Sequence, residues 1–134
     1  MNYNYLITGS ILAAIGVAFG AMGAHWLKEN INMTDIQNFE TAVRYQMYHA
    51  FAILLLAVLS GRFKTRLFEY AFHAFWVGTL FFSGSIYLLA TREITGFYWP
   101  WLGPITPIGG LLFITGWILL AVSGYKASYE VEEE

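Results

Sequence analysis

Seven side chains able to do chemistry crowd one apolar stretch: Glu40, Thr41, Arg44, Tyr45, Gln46, Tyr48 and His49. At about 100° per residue they spread over roughly two thirds of a helix's circumference. Glu40 and Arg44 stand four apart with the acid first, the order in which a helical pair attracts. Tyr45 and His49 share a face at the same spacing. Such a set could bind a polar ligand, relay a proton or lock helices together. No nucleophile motif, phosphate-binding carboxylate set or HExxH accompanies it. The chain has no cysteine for thiolate metal, disulfide or redox chemistry. Catalytic residues, metal ligands and cofactors are therefore not expected. His49 and His73 as axial haem ligands would differ in depth by about 7 Å along their helices, awkward for one iron.

The elements that carry these residues are apolar and long. The chain is 57% hydrophobic and 12% charged, with a mean hydropathy of +0.53. A soluble domain carries about a quarter charged residues, so the charge deficit points to lipid. Four stretches, residues 5–24, 39–59, 67–89 and 105–125, reach the roughly 20 residues needed to cross about 30 Å of hydrocarbon. The second is the least clean, but residues 50–59 are apolar all round, which suits insertion better than a helix lying at the surface. The expected architecture is an all-α membrane protein, a four-helix transmembrane bundle forming a single domain over residues 1–134. Its helices should span about residues 5–25, 35–60, 66–90 and 106–126, followed by a solvated acidic tail over 127–134. Residues 1–5 lack the basic start of a signal peptide, and the apolar run after them is too long for one. The first segment is expected to stay.

Local signals refine these bounds. Thr34 with Gln37 reads as a capping box, starting the second helix at Asp35. Thr106 followed by Pro107 reads as an N-cap and first helical residue of the fourth. Gly61 should close the second helix and open a tight turn. Arg62, Lys64, Arg66 and Lys126 gather on one side, against Lys28 and Arg92 on the other, with Arg44 inside a helix. That bias places both termini in the cytoplasm. Trp26, Trp99 and Trp101 would then mark the outer interface, and Tyr3, Tyr5, Tyr125 and Tyr129 the inner one.

Small residues recur at helical spacing: Gly9, Ala13, Gly16, Gly20 and Gly23, then Ala71, Ala74, Gly78 and Ser85, then Gly109, Gly116 and Ser123. In lipid such stripes let backbones approach closely, either within the bundle or between copies in a homo-oligomer. Lipid cannot face the polar arc of the second helix cheaply, so that half-helix should sit among the other helices or line a wet cavity. His25, Ser83, Ser85 and Thr106 should reach the same outer half, and N–H groups left free after Thr106 would add positive character. The expected ligand-binding cluster is His25, Glu40, Arg44, Tyr45, Gln46, Tyr48, His49 and Thr106, with Glu40 and Arg44 paired. A purely structural polar network is the competing reading. Glu69 and His73 read as interfacial groups. With a net charge of −2 and no basic face, nucleic acid is not a partner.

The stretches GAMGAHWL, FETAVRYQMYHAFAILLL, FSGSIYLLA and LGPITPIGGLLFITGWILLA resemble the bacterial YgdD/YwdK-like small membrane proteins, domain-of-unknown-function family four-two-three. The resemblance covers all four helices. Met22 stands where that family typically has Phe, and residues 28–38 and the acidic tail follow no family pattern. The resemblance implies a multi-pass protein of the bacterial inner membrane. It marks His25, Glu40, Arg44, Tyr45, Gln46, His49, Pro104 and Pro107 as motif positions and supplies no activity. A non-enzymatic module that binds membrane lipid or a membrane partner is the first functional expectation. An oligomeric small-solute transporter or proton-coupled channel, titrating at Glu40 or His49, is the alternative. Four-helix drug exporters are similar in size but carry an acidic residue in the first helix, and here that helix has none.

Overall fold

The computed structural model of the chain describes residues 1–63 and 65–132, with side chains through Tyr129. Lys64 of the basic turn, Glu133 and Glu134 of the acidic tail, and the side chains of residues 130–132 lie outside the described residues. Four helices are long and apolar enough to cross a membrane. They are α1 (Tyr3–Asn30), α2 (Met33–Leu59), α3 (Arg66–Ala90) and α4 (Leu102–Glu132). The described residues contain no strand. The protein is an all-α transmembrane four-helix bundle.

The helix ends follow capping chemistry, though not always at the expected residue. Asn2 caps α1, accepting from the N–H groups of Asn4 and Tyr5 at 3.0 and 3.3 Å. The capping box at Thr34 and Gln37 does not form. Asn32 caps α2 instead, accepting from the Asp35 N–H at 2.9 Å, while its amide donates to the Asp35 carboxylate at 2.8 Å. Asp35 thus takes the third helical position, where an acid suits a helix N-terminus. A widened π-turn, Gly23–Leu27, interrupts the end of α1.

The start of α4 is also corrected. It begins at Leu102, and Pro107 lies inside it. Pro104 already occupies the first turn, where its missing N–H costs nothing. Pro107 then leaves the Gly103 carbonyl without its usual helical donor. Gly61 does not adopt a left-handed conformation; Gly96, φ +68°, is the positive-φ glycine, closing the single turn Arg92–Thr95 after α3. α4 continues to Glu132, so the start of the expected tail is helical.

α2 and α3 form the centre. α1 packs on α2, and α4 packs on α3. The small-residue stripes are spent inside the bundle. A Cβ on Gly9 would come within 2.8 Å of Leu54, and one on Gly16 within 2.6 Å of the Met47 sulfur. Across the other seam, a Cβ on Gly109 would meet the Phe82 backbone, and one on Gly116 the Phe75 ring at 2.6 Å. The core gathers Ile53, Leu56, Phe68, Phe75 and Phe113. Tyr5 belongs to it as well, 8% exposed and stacked on Phe72 at 3.9 Å, so it is not an interfacial anchor. Tyr3, Tyr125 and Tyr129 are exposed at the end holding both termini, and Trp26, Trp99 and Trp101 at the opposite, far end.

Candidate functional site

Because α2 and α4 both lean on α3, a gap opens between them, and two cavities lie in it. The one at the far end measures about 600 Å³ and is the more polar of the two, lined by Asp35, Asn38, Thr41, Arg92, Tyr98 and Thr106, with Ile86, Leu89 and Ala90 as its apolar wall. The deeper one measures about 580 Å³ and is lined by Tyr45, His49, Phe82, Pro107, Gly110 and Trp117 among others. They lie end to end. Thr41 of the first precedes Tyr45 of the second by one turn of α2, and Thr106 and Pro107 are neighbours in α4. From Asp35 to His49 the gap runs about 21 Å along the α2 axis.

The polar cavity is organised by an ion pair that the local pattern does not announce. Arg92 donates from Nη1 to Asp35 Oδ1 at 3.0 Å. The same nitrogen donates to the Leu89 carbonyl. Asp35 Oδ2 accepts from Asn32, so both carboxylate oxygens are engaged although Asp35 is only 3% exposed. Among the described residues, Arg92 Nη2 and Nε, the Asn38 amide, the Thr34 hydroxyl and the Tyr98 hydroxyl have no protein partner. One signal could have found the pair: Asp35 and Arg92 stand at nearly equal chain distances from the turn that joins α2 to α3, so an antiparallel hairpin brings them together.

The deeper cavity has an aromatic floor. His49 stacks on Phe113 with ring centroids 3.5 Å apart and planes 5° from parallel. Its Nδ1 lies 2.7 Å from the Tyr45 carbonyl, and its Nε2 lies 3.2 Å from the Trp117 indole nitrogen. A carbonyl only accepts and an indole N–H only donates, so the two contacts require the neutral Nδ1–H tautomer. His49 has no ring nitrogen left for a ligand, and this part of the gap suits an apolar chain.

The expected cluster is divided around α2. Gln46 turns inward, donating to the Leu12 carbonyl and accepting from the Tyr87 hydroxyl, both at 2.7 Å. Tyr45 and His49 line the apolar cavity, and Thr106 lines the polar one. Thr106 also shares a hydrogen bond of 2.6 Å with Ser85. With α4 beginning at Leu102, the N–H groups after Thr106 lie inside the helix and offer no anion site. Glu40, Arg44 and Tyr48 point out of the bundle, and His25 is exposed on the π-turn. Among the described residues Glu40 and Arg44 form no ion pair; Arg44 donates to the Thr41 hydroxyl at 3.1 Å. The half-helix therefore does not lie wholly among the other helices. Glu69 and His73 are exposed, 4.0 Å apart, and His73 accepts from the Trp76 indole at 3.0 Å.

Against known families, a model described as "Protein of unknown function (DUF423)" matches residues 19–110, well over half of the chain. The chain belongs to this family. The matched DUF423 region holds the whole lining of the polar cavity and the upper part of the apolar one. Curated relatives include UPF0382 membrane proteins of Staphylococcus haemolyticus, 39% identical, and of Staphylococcus aureus, 40% identical. Each alignment covers 91% of this chain and 95% of the relative. The UPF0382 membrane protein YwdK of Bacillus subtilis is 36% identical over 91% of this chain and 96% of its own. No solved structure matches. The expected membership is thus met, and membrane residence is shared with the relatives. None of these names carries an activity.

Proposed function

We propose that this DUF423 protein is a non-enzymatic lipid-binding module that holds one amphiphile between α2 and α4. The headgroup sits in the polar far-end cavity, and the chain runs down the aromatic groove. The observation that carries this reading is the end-to-end order of the two cavities, polar at the interface and apolar toward the membrane centre. That order matches the polarity of a phospholipid. Arg92 keeps guanidinium donors for a phosphodiester, and Asn38, Thr34 and Tyr98 add directional hydrogen bonds. Asp35 cancels the charge of Arg92, which favours a zwitterionic headgroup over a multiply charged one. Trp99 and Trp101, both exposed beside this end, are the residues that favour headgroup depth. A transporter or channel gains no comparable support, because Glu40 faces away from the gap and both His49 nitrogens are engaged.

The test is native mass spectrometry of the protein released from detergent or nanodiscs. Wild type should retain one phospholipid per chain. A Cβ on Gly110 meets nothing closer than 3.8 Å, so Gly110→Leu should fold, project into the groove and abolish retention. Gly124→Leu, in open space on the same helix, is the control. Bare wild-type chains, or Gly110→Leu chains that keep their lipid, would refute the reading.

A further inference from the structure

The outward face of α2 presents a problem that the bundle does not solve. Glu40, Arg44, Tyr48, Phe51, Leu55 and Val58 follow one another at intervals of three and four residues, and all are exposed. Opposite them Ala42, Ile53 and Leu56 are fully buried against the rest of the bundle. The upper half of this face is charged at hydrocarbon depth. Arg44 and Gly20 line one small cavity of about 210 Å³. Gly20 lies six residues before Trp26, which is about 9 Å below the aromatic belt. Lipid does not accommodate a guanidinium there without penalty, and Glu40 stands only one turn nearer the belt.

We propose that this face is covered by a second copy of the chain, the two α2 helices packing about a twofold axis along the membrane normal. The charges argue for a copy rather than another partner. A partner of one sign would pair with Glu40 or with Arg44 and leave the other charge bare. A twofold copy presents both, so that each contact is made twice. In a parallel pair, equal residues meet at equal depth. Glu40 stands about 6 Å above Arg44 along the axis, and the Arg44 guanidinium already reaches up to the Thr41 hydroxyl at 3.1 Å, which carries it toward Glu40 of the other copy. The inner half of the face, with Phe51, Leu55 and Val58 at the intervals of a coiled-coil seam, continues the contact in apolar form. The face is separate from the α2–α4 gap, and dimerisation does not depend on lipid there.

The chain contains no cysteine, so single introduced thiols report cleanly. Tyr48→Cys and Leu55→Cys, oxidised in native membranes, should each give a disulfide-linked homodimer. Ile114→Cys, exposed on α4, should not. Leu55→Cys also tests direction, because an antiparallel pair would place residue 55 far from its mate. In the Tyr48→Cys background, Glu40→Arg should lower cross-linking by about tenfold, the cost of setting like charges against each other. Adding Arg44→Glu should restore it by reversing both signs. Cross-linking at the Ile114→Cys level, indifference to Glu40→Arg, or a cross-link to a different protein would each overturn the proposal. The thiol result stands alone if a charge variant fails to accumulate.

Discussion

Two adjacent glycines in α4 show how much depends on where a single Cβ would point. A Cβ on Gly109 would lie 2.8 Å from the Phe82 Cα and nearer still to its backbone nitrogen, and neither atom can rotate away. Gly109→Ala should therefore cost about 3 kcal/mol or more, the upper range for overpacking, read as a lowered melting temperature in detergent. At Gly110 the same change meets only ordinary contact with the Phe82 ring at 3.8 Å. Removing glycine's backbone freedom from a helix should there raise stability by about 0.5–1 kcal/mol. The far-end ion pair is the other residue-level prediction. Arg92→Ala strands the Asp35 carboxylate, whose side chain is only 5% exposed. Stranding a fully buried charge costs about 3–5 kcal/mol, and the partial exposure of Arg92 brings the expectation nearer 2 kcal/mol. The double change Asp35→Ala with Arg92→Ala should be milder than Arg92→Ala alone. Equal melting of single and double variants would show that the two charges are not coupled.

Between helices, polar side chains join elements that small residues bring close. Gln46 is the clearest case, since its amide bonds α1 through the Leu12 carbonyl and α3 through the Tyr87 hydroxyl. Ser83 on α3 likewise donates to the Ala42 carbonyl of α2 at 2.7 Å. Interhelical hydrogen bonds in membranes average about 0.6 kcal/mol, because the separated helices also find partners. Gln46→Leu removes two such bonds and leaves a phenol unpaired, so a loss of about 1–2 kcal/mol is expected on thermal or denaturant unfolding. No loss would mean that water satisfies these groups when α1 and α3 separate. Loss of the Asn32 cap, by Asn32→Ala, should cost about 1 kcal/mol and fray the start of α2. Because that cap also holds Asp35, the change should weaken lipid retention in the far-end cavity as well.

At the scale of the molecule, α2 and α3 occupy the middle while α1 and α4 stay largely exposed. The central pair supplies the framework, and the flanking helices define the gaps. The same arrangement leaves the outward face of α2 open, so the bundle carries the two cavities on one side of that helix and an exposed, partly charged face on another. The basic residues near the α2–α3 turn and Lys126 favour retention of that end in the cytoplasm. Reporter fusions after Glu134 and within the turn at residues 31–32 should therefore report opposite compartments, with the C-terminus inside. A C-terminus found outside would reverse the polar cavity to the inner leaflet.

Much of this architecture was legible in the sequence because lipid leaves few choices. Apolar stretches of spanning length must be helices, and the glycine spacing of α1 already marked the face that meets α2. The local patterns at Thr34 and Thr106–Pro107 pointed to helix starts that the folded chain does not use: Asn32 caps α2, and α4 begins at Leu102. The polar pattern singled out α2, whose side chains line both cavities, but not which side chains meet. Helical periodicity gives the angle of each residue about its own axis and leaves unknown where the neighbouring helices stand around it. Only the packing of α1, α3 and α4 decided that Gln46 and His49 are enclosed while Glu40 and Arg44 face outward. Likewise only the antiparallel register of α2 and α3 set Asp35 against Arg92, residues 57 apart in the chain.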